Sequence, residues 1–268
     1  MLIYLNEKPL EIENGTRLYE LRKKYKANAD LLIVNGFPAS TDQKLDSNDH
    51  VIMISRGEQP SAEDLESLMM ARHTPGVHQI IKQGCVGIAG AGGLGSHVAV
   101  ALARVGIGQL NIVDFDVVEP SNLNRQQYFI DQIGMPKVIA LQNNLQRINP
   151  GTKINIFHQK VTPENIAEFF GEVDILVEAF DTADQKAMLT NNFLCDFPEK
   201  FLVAASGVAG YEASNTIRTT KVTEHFYLCG DGVTAAEPGC GLMAPRVGIA
   251  AHHQANAVLQ LLLNNMAE

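Results

Sequence analysis

The chain has 268 residues, of which 46% are hydrophobic, and its formal net charge at pH 7 is −9. This length accommodates one α/β domain together with a smaller second domain. The negative charge argues against nucleic acid and anionic membranes as general partners, because either would require a basic face.

The beginning of the sequence has no basic leader followed by an apolar segment, and no apolar run approaches the ~18 residues of a membrane span. We therefore expect a cytoplasmic protein without a membrane partner. The four cysteines contain no C-x-x-C pair, so we expect neither a disulfide framework nor structural zinc. They are Cys85, Cys195, Cys229 and Cys240.

The first 57 residues have the pattern of a small α+β domain. Residues 2–5 and 9–12 predict two strands, residues 16–24 predict a helix, and residues 31–34 and 51–54 predict two further strands. This order indicates a β-grasp sheet over one helix, and an unrelated small β domain is the alternative. A helical connector is predicted over residues 58–80, with a helix at 62–71 that begins after Ser61.

Residues 81–268 predict a Rossmann-like, mostly parallel sheet with helices on both faces. Strands are expected at 86–89, 110–113, 153–158, 174–179 and 201–206, and residues 216–228 predict strands at the far edge of the sheet. Helices are expected at about 95–105, 137–148, 163–170, 183–195 and 247–263.

A glycine-rich loop follows the first of these strands. Gly90 to Gly93 predict a tight turn that lets the backbone approach a phosphate, and the helix expected from Ser96 onward would attract anions at its amino end. Gly90, Gly92 and Gly95 fit the G-x-G-x-x-G pattern, and Asp114 follows Gly95 by about 19 residues, where a ribose-binding acid is expected. By itself, this pattern also fits a nicotinamide-dependent oxidoreductase.

The residues after Asp114 favour transfer chemistry instead. We interpret Asp116 as a cap for the following loop, and Arg125 and Lys137 supply the cations that nucleotidyl transfer needs. The strings Gly-x-Gly-Gly-Leu-Gly-Ser, Ser-Asn-Leu-Asn-Arg-Gln and Gly-x-Pro-Lys resemble the ubiquitin-activating-enzyme superfamily, most closely its ThiF branch, over roughly residues 72–263.

This resemblance implies an ATP site and assigns its residues. It places Arg125 and Lys137 on the phosphates and makes Asp181 both a catalytic residue and the magnesium ligand, although Asp181 could equally cap the helix at 183–195. Family members often have an arginine where this chain has Lys186. The nucleotide-binding residues that the pattern and the resemblance together predict are Gly90, Gly92, Gly93, Gly95, Asp114, Asn122 and Gln126.

The implied reaction is ATP-dependent adenylylation of the C-terminal glycine carboxylate of a small sulfur carrier ending in Gly-Gly, in thiamine thiazole synthesis. A homodimer and a separate sulfur-donor protein are implied as well. Related enzymes act on another carrier, a small molecule or a tRNA base, and a non-catalytic nucleotide-binding module is a further alternative. Related enzymes carry two arginines upstream of the glycine loop. In this chain only Arg72 matches one of them.

The N-terminal domain resembles the sulfur carrier ThiS, but it lacks the free Gly-Gly end that a carrier needs. After Gly57 the chain continues through Glu58 and Gln59 into Pro60. We therefore expect a separate carrier as substrate, with the fused domain serving docking, dimer contacts or regulation.

Overall fold

The computed structural model describes residues 1–57, 65–66, 69, 73 and 75–265. These residues form two compact units, Met1–His78 and Gln79–Glu268. The helix predicted at 62–71 lies largely outside the described residues, and Arg72 lies outside them as well. In the part of the chain that is described, no helix is long and apolar enough to cross a membrane.

The first unit is a five-stranded sheet packed on one helix. Its strands are β1 (Leu2–Leu5), β2 (Lys8–Glu11), β3 (Leu31–Val34), β4 (Phe37–Pro38) and β5 (His50–Ile54), and its helix is α1 (Leu18–Tyr25). The strand order is β2-β1-β5-β3-β4. β1 and β5 are parallel, and the other neighbours are antiparallel. Alternate residues face the helix, because successive side chains on a strand point to opposite faces.

The core of this unit is apolar and fully enclosed. Ile3, Val51 and Met53 of the sheet pack with Leu18 and Leu21 of α1, and all five are buried. The predicted small α+β domain over residues 1–57 therefore has the expected elements.

The second unit is built on a seven-stranded sheet. Its strands are β6 (Cys85–Ala89), β7 (Gln109–Val113), β8 (Lys153–Phe157), β9 (Ile175–Glu178), β10 (Phe201–Ala205), β11 (Arg218–Lys221) and β12 (Phe226–Gly230). Its helices are α3 (Gly93–Arg104), α4 (Lys137–Ile148), α5 (Ile166–Phe170), α6 (Ala183–Asp196) and α7 (Ala244–Asn265), and the preceding helix is α2 (Pro75–Gln83).

The strand order of this sheet is β11-β12-β10-β9-β6-β7-β8. All neighbours are parallel except β11 and β12, which are antiparallel. The mostly parallel, Rossmann-like sheet predicted from the sequence is thus confirmed. The order of the strands reverses between β6 and β9, which are themselves parallel, and in open α/β sheets ligands bind in the crevice at the carboxyl ends of the strands at such a point.

Candidate nucleotide-binding site

The loop that follows β6 and the start of the next helix contain glycines at positions that disfavour a side chain. Gly90 has a φ of +99°, a conformation that side chains disfavour. A Cβ atom on Gly95 would lie 1.8 Å from the carbonyl oxygen of Gly90, and one on Gly93 would lie 3.0 Å from Cγ1 of Val247. The backbone therefore restricts Gly90 and Gly95 to glycine, whereas a Cβ on Gly92 would meet only the side-chain nitrogen of Gln126, at 3.9 Å.

Helix α3 begins at Gly93, three residues earlier than the sequence predicted. The predicted start at Ser96 was wrong because Gly93 and Gly95 form the first turn of the helix. No side chain of the described residues caps this first turn, which follows the loop after β6, and a helix amino end carries partial positive charge. Ser96 is buried, and its hydroxyl accepts the backbone N–H of Gln127 at 3.1 Å.

Asp114 lies directly beside the glycine loop. One carboxylate oxygen accepts the N–H of Ala91 at 2.6 Å, and the other accepts the N–H of Asp116 at 2.7 Å. Tyr128 anchors the same loop, because its hydroxyl donates to the carbonyl of Ala91 at 2.6 Å. Sequence reasoning missed Tyr128, although an aromatic residue just after the Arg-Gln pair was visible. Asp114 is mostly enclosed, and its ribose contact stays a prediction.

Arg125 and Gln126 reach the glycine loop from the segment that follows β7. The aliphatic part of the Arg125 side chain lies 3.6–3.7 Å from the position of a Cβ on Gly93. Its guanidinium donates to the carbonyl of Ser121 and to the side-chain oxygen of Asn124. Gln126 is buried, and its side-chain oxygen accepts no hydrogen bond from the described residues.

Asn122 is buried in the same segment and holds its backbone. Its side-chain oxygen accepts the N–H of Glu119 at 3.0 Å, across the 3₁₀ turn Pro120–Asn124. This 3₁₀ turn also sets the direction of Arg125, because the backbone N–H of Arg125 donates to the carbonyl of Asn122. Asn122 thus shapes the loop that carries the candidate cation.

Lys137 forms an ion pair that the sequence did not reveal. Its ammonium lies 2.7 Å from the carboxylate of Asp116, and the lysine is buried whereas Asp116 is half-exposed. The interpretation of Asp116 as a loop cap was wrong, because its carboxylate forms an ion pair with Lys137 instead. Their backbones are also joined by a hydrogen bond from the Lys137 N–H to the Asp116 carbonyl at 2.9 Å.

Asp181 stands in the turn after β9, at the carboxyl edge of the sheet, and its side chain is exposed. The N-cap position of α6 belongs to Thr182, so the alternative that Asp181 caps this helix is wrong. In the described residues no group of three His, Cys, Asp or Glu side chains is arranged to hold a metal ion.

The charge of Lys186 is paired with a buried carboxylate. Its ammonium lies 3.0 Å from both carboxylate oxygens of Glu178, a side chain with no exposed surface. Burial raises the pKa of Glu178, while the charge and hydrogen bonds of Lys186 and the Phe180 N–H oppose that rise. Glu178 was missed by sequence reasoning, although an acid at the end of an otherwise apolar strand is an evident signal.

The four cysteines are all free. Cys195 is exposed on α6. Cys229 lies buried on β12, where burial raises its pKa to about 11. A thiol that resists ionisation is a poor nucleophile at neutral pH.

Arg246 and Asp231 connect three segments near the end of β12. The Arg246 guanidinium lies 2.6 Å from the carboxylate of Asp231 and also donates to the carbonyls of Glu212 and Ala213. Burial acts to raise the pKa of Asp231, but hydrogen bonds from Thr234, Val233 and Arg246 outweigh it and lower the pKa from 3.8 to about 2.

This pair predicts a specific acid sensitivity. Because the pKa of Asp231 is lowered on folding, its contribution to stability is complete above the unfolded value and is lost as pH falls through the folded value. The shift corresponds to about 2 kcal/mol. We expect the difference in unfolding free energy between wild type and Asp231→Asn to shrink by about this amount between about pH 5 and about pH 2.

Denaturant unfolding at a series of pH values measures this difference. Glu224→Gln is the matched control, because Glu224 also pairs with a cation, Lys221, but on the exposed surface. Water screens that pair, so its pH dependence should be smaller. A difference for Asp231→Asn that does not change with pH would contradict the expectation.

Comparison with known proteins assigns the second unit to a family. The ThiF family model matches residues 66–268. The chain belongs to the ThiF family. A second family, described as ThiS-like ubiquitin, matches residues 1–57. Both resemblances stated from the sequence are therefore confirmed.

Curated relatives of this ThiF-family chain are named as adenylyltransferases. The molybdopterin-synthase adenylyltransferase of Escherichia coli is 30% identical over 191 residues, covering 69% of this chain and 75% of the relative. The sulfur carrier protein adenylyltransferase of Thermus thermophilus is 33% identical over 129 residues, which cover 48% of this chain and 42% of the relative. The adenylyltransferase and sulfurtransferase MOCS3 of Dictyostelium discoideum is 32% identical over 191 residues, which cover 66% of this chain and 43% of the relative. The chain thus spans less than half the length of the Thermus and Dictyostelium relatives.

Solved structures share the fold at lower identity. The E. coli tRNA N6-threonylcarbamoyladenosine dehydratase TcdA, in complex with AMP, has a TM-score of 0.68 and 21% identity, covering 75% of this chain and 94% of that one. E. coli MccB with ATP has a TM-score of 0.56 and 21% identity, covering 77% and 64%. At this level of identity, the likeness concerns the fold alone.

Proposed function

We propose that this protein transfers the adenylyl group of ATP to the C-terminal glycine carboxylate of a small sulfur-carrier protein. The observation that carries the proposal is the position of Arg125, whose side chain packs on Gly93 at the amino end of α3 in a chain of the ThiF family. A helix amino end and an adjacent guanidinium suit the phosphates of a nucleotide.

The chemistry needs alignment and charge neutralisation rather than a protein nucleophile. A carboxylate oxygen of the carrier attacks the α-phosphorus of ATP, the bond from the α-phosphorus to its bridging oxygen breaks, and pyrophosphate leaves. Negative charge moves toward the leaving group during this step, so Arg125 and Lys137 stabilise the transition state. Asp114, held beside Ala91, accepts the ribose hydroxyls. The buried side-chain oxygen of Gln126 has no hydrogen-bond partner among the described residues, so it is available to accept a hydrogen bond from the nucleotide.

A magnesium ion fits this site as a companion of ATP rather than as a resident metal. Asp181 offers one exposed carboxylate, and Mg²⁺ commonly combines one or two protein carboxylates with waters and substrate phosphates. Asp181 would hold the ion, which neutralises phosphate charge when bound.

Asp181→Asn tests this assignment. The substitution keeps the size and one oxygen but removes the charge, so turnover should drop and the magnesium concentration for half-maximal activity should rise. Titration of activity with Mg²⁺ at saturating ATP is the measurement. Asp184→Asn, in the first turn of α6, is the control, because Asp184 is exposed and lies beyond the turn after β9. A wild-type magnesium curve for Asp181→Asn would remove Asp181 from the metal site.

The carrier is proposed to be a separate protein of the ThiS type, and the pathway to be thiamine thiazole synthesis. The fused ThiS-like domain has no terminal carboxylate, because the chain continues beyond Gly57. An internal peptide bond offers no acidic oxygen, so this domain cannot be adenylylated while the chain is intact. A homodimer and a separate sulfur-donor protein that acts on the acyl-adenylate complete the proposal.

Pyrophosphate exchange tests the function as a whole. The purified protein is incubated with ATP, magnesium and labelled pyrophosphate, alone and with separate carriers of the ThiS type and the molybdopterin-synthase type. Exchange that appears with a ThiS-type carrier supports the proposal, and exchange with the molybdopterin-type carrier alone would overturn the thiamine assignment. Exchange without any carrier, or stable adenylate on a fragment ending near residue 57, would contradict the separate carrier.

A further inference from the structure

Glu178 is a fully buried carboxylate at the point where the strand order of the large sheet reverses. It is the last residue of β9, and its register partner on β6 is Ala89, the residue before the glycine loop. The next residue, Ala179, donates its N–H to the Ala89 carbonyl at 2.9 Å. The Ala179 carbonyl lies 2.8 Å from the position of a Cβ on Gly90. The turn after β9 therefore packs directly on the glycine loop.

The Glu178 carboxylate joins two points of the chain that flank Asp181. One oxygen accepts the backbone N–H of Phe180 at 2.7 Å, and both oxygens accept the ammonium of Lys186 at 3.0 Å. Phe180 precedes Asp181, and Lys186 lies in the first turns of α6, just after it. Asp181 is thus held between two anchors that share a single carboxylate.

A purely structural role does not account well for this pair. The other residues of β9, Ile175 to Val177, are buried and apolar. An apolar side chain at position 178 would fill the same space without the cost of removing two charges from water. Buried ion pairs often add little net stability compared with apolar replacements. What an ion pair does supply is a fixed direction, since its hydrogen bonds must be satisfied in one arrangement.

We propose that Glu178 and Lys186 are positioning residues that hold Asp181 at the distance from the glycine loop that Mg-ATP requires. The inference rests on the proposed function, because it acts through the role given to Asp181. Lys186 then neutralises Glu178 rather than a phosphate, and Arg125 and Lys137 carry the phosphate contacts.

A double-mutant cycle between Glu178 and Asp181 tests this. Glu178→Gln keeps an oxygen for the Phe180 N–H but places an amide or a neutral oxygen against Lys186. We expect turnover to fall roughly tenfold or more, and the magnesium requirement for ATP binding to rise, because small displacements of a positioned group are costly. In the Asp181→Asn background, the same substitution should have no further effect on either quantity. If Glu178 supports only the fold, Glu178→Gln would change turnover and the magnesium requirement by the same factor in the wild-type and Asp181→Asn backgrounds. That result would overturn the proposal.

Two further variants keep the test decisive. Glu178→Asp retains the charge but shortens the reach, so it covers the case in which Glu178→Gln does not fold, and it should show the same dependence on Asp181. Lys221→Gln is the matched control, because it removes a lysine from an exposed ion pair with Glu224 on β11 and its hairpin. Lys221→Gln should leave turnover and the magnesium requirement for ATP binding at the wild-type level.

Magnesium-dependent ATP binding, measured by calorimetry without any carrier, separates the two proposals. If the wild type shows no carrier-dependent exchange, the proposed function fails, but the binding cycle still decides whether Glu178 acts through Asp181. Equal losses of binding in both backgrounds would overturn the positioning role even if exchange is observed.

Discussion

Gly95→Ala is expected to abolish ATP binding at ordinary concentrations while leaving the rest of the fold in place. The added Cβ would lie 1.8 Å from the Gly90 carbonyl oxygen, far inside contact distance. The obstacle is backbone, so no side-chain rotation relieves it, and the glycine loop itself has to move. Because the proposed function places the phosphates at the amino end of α3, beside this loop, we expect a loss of affinity of about 10²-fold or more, roughly 2.7 kcal/mol.

Calorimetric titration with ATP and thermal unfolding together measure this effect. Overpacking of this kind also costs about 1–3 kcal/mol of stability, so the melting temperature should fall as well. Gly76→Ala is the matched control, since Gly76 is also a helical glycine but a Cβ there meets nothing within 4 Å. Wild-type ATP affinity in Gly95→Ala would show that the phosphates bind elsewhere.

Arg125→Ala is expected to lower turnover by roughly 10²-fold or more, which is about 2.7 kcal/mol for one lost transition-state contact. Arg125 is placed by the turn that Asn122 holds, and its stem lies on Gly93. Since the charge on the phosphates grows toward the leaving group during transfer, the loss should fall on kcat more than on the KM for ATP.

Steady-state kinetics of carrier adenylylation give this separation. Arg125→Lys retains the charge but not the planar fork of donors, so its activity should lie between wild type and Arg125→Ala. Arg104→Ala, at the far end of α3 and exposed, serves as the control. Unchanged turnover in Arg125→Ala would remove this residue from the mechanism.

The parts of the structure that the sequence predicted are those that local patterns encode. The apolar strands, the glycines of the loop and the start of α4 at Lys137 follow from periodicity and from the special conformations of glycine. The start of α3 was misplaced because glycine is a weak helix former, and only the close approach to the Gly90 carbonyl shows why two glycines stand in its first turn.

The charge partners could not be predicted, because they depend on distances across the fold. Lys186 stands where family members often have an arginine, and only the structure shows that its partner is Glu178, eight residues away and on the preceding strand. Arg246 and Asp231 lie on different elements and meet only after the sheet edge and α7 are assembled. Residue type indicates that such charges need partners, and tertiary structure decides which ones they find.

The ion pair between Lys137 and Asp116 has a consequence for what the site admits. Lys137 is already neutralised by a carboxylate 2.7 Å away, and its buried position leaves little room for water to take over that role. If the phosphates of ATP bind at Lys137, as proposed, they have to displace this internal carboxylate. A singly charged ion such as chloride would gain little by that exchange, whereas a polyphosphate carries more charge and the half-exposed Asp116 could turn toward solvent. We therefore expect the pair to favour polyvalent anions over monovalent ones at the proposed site.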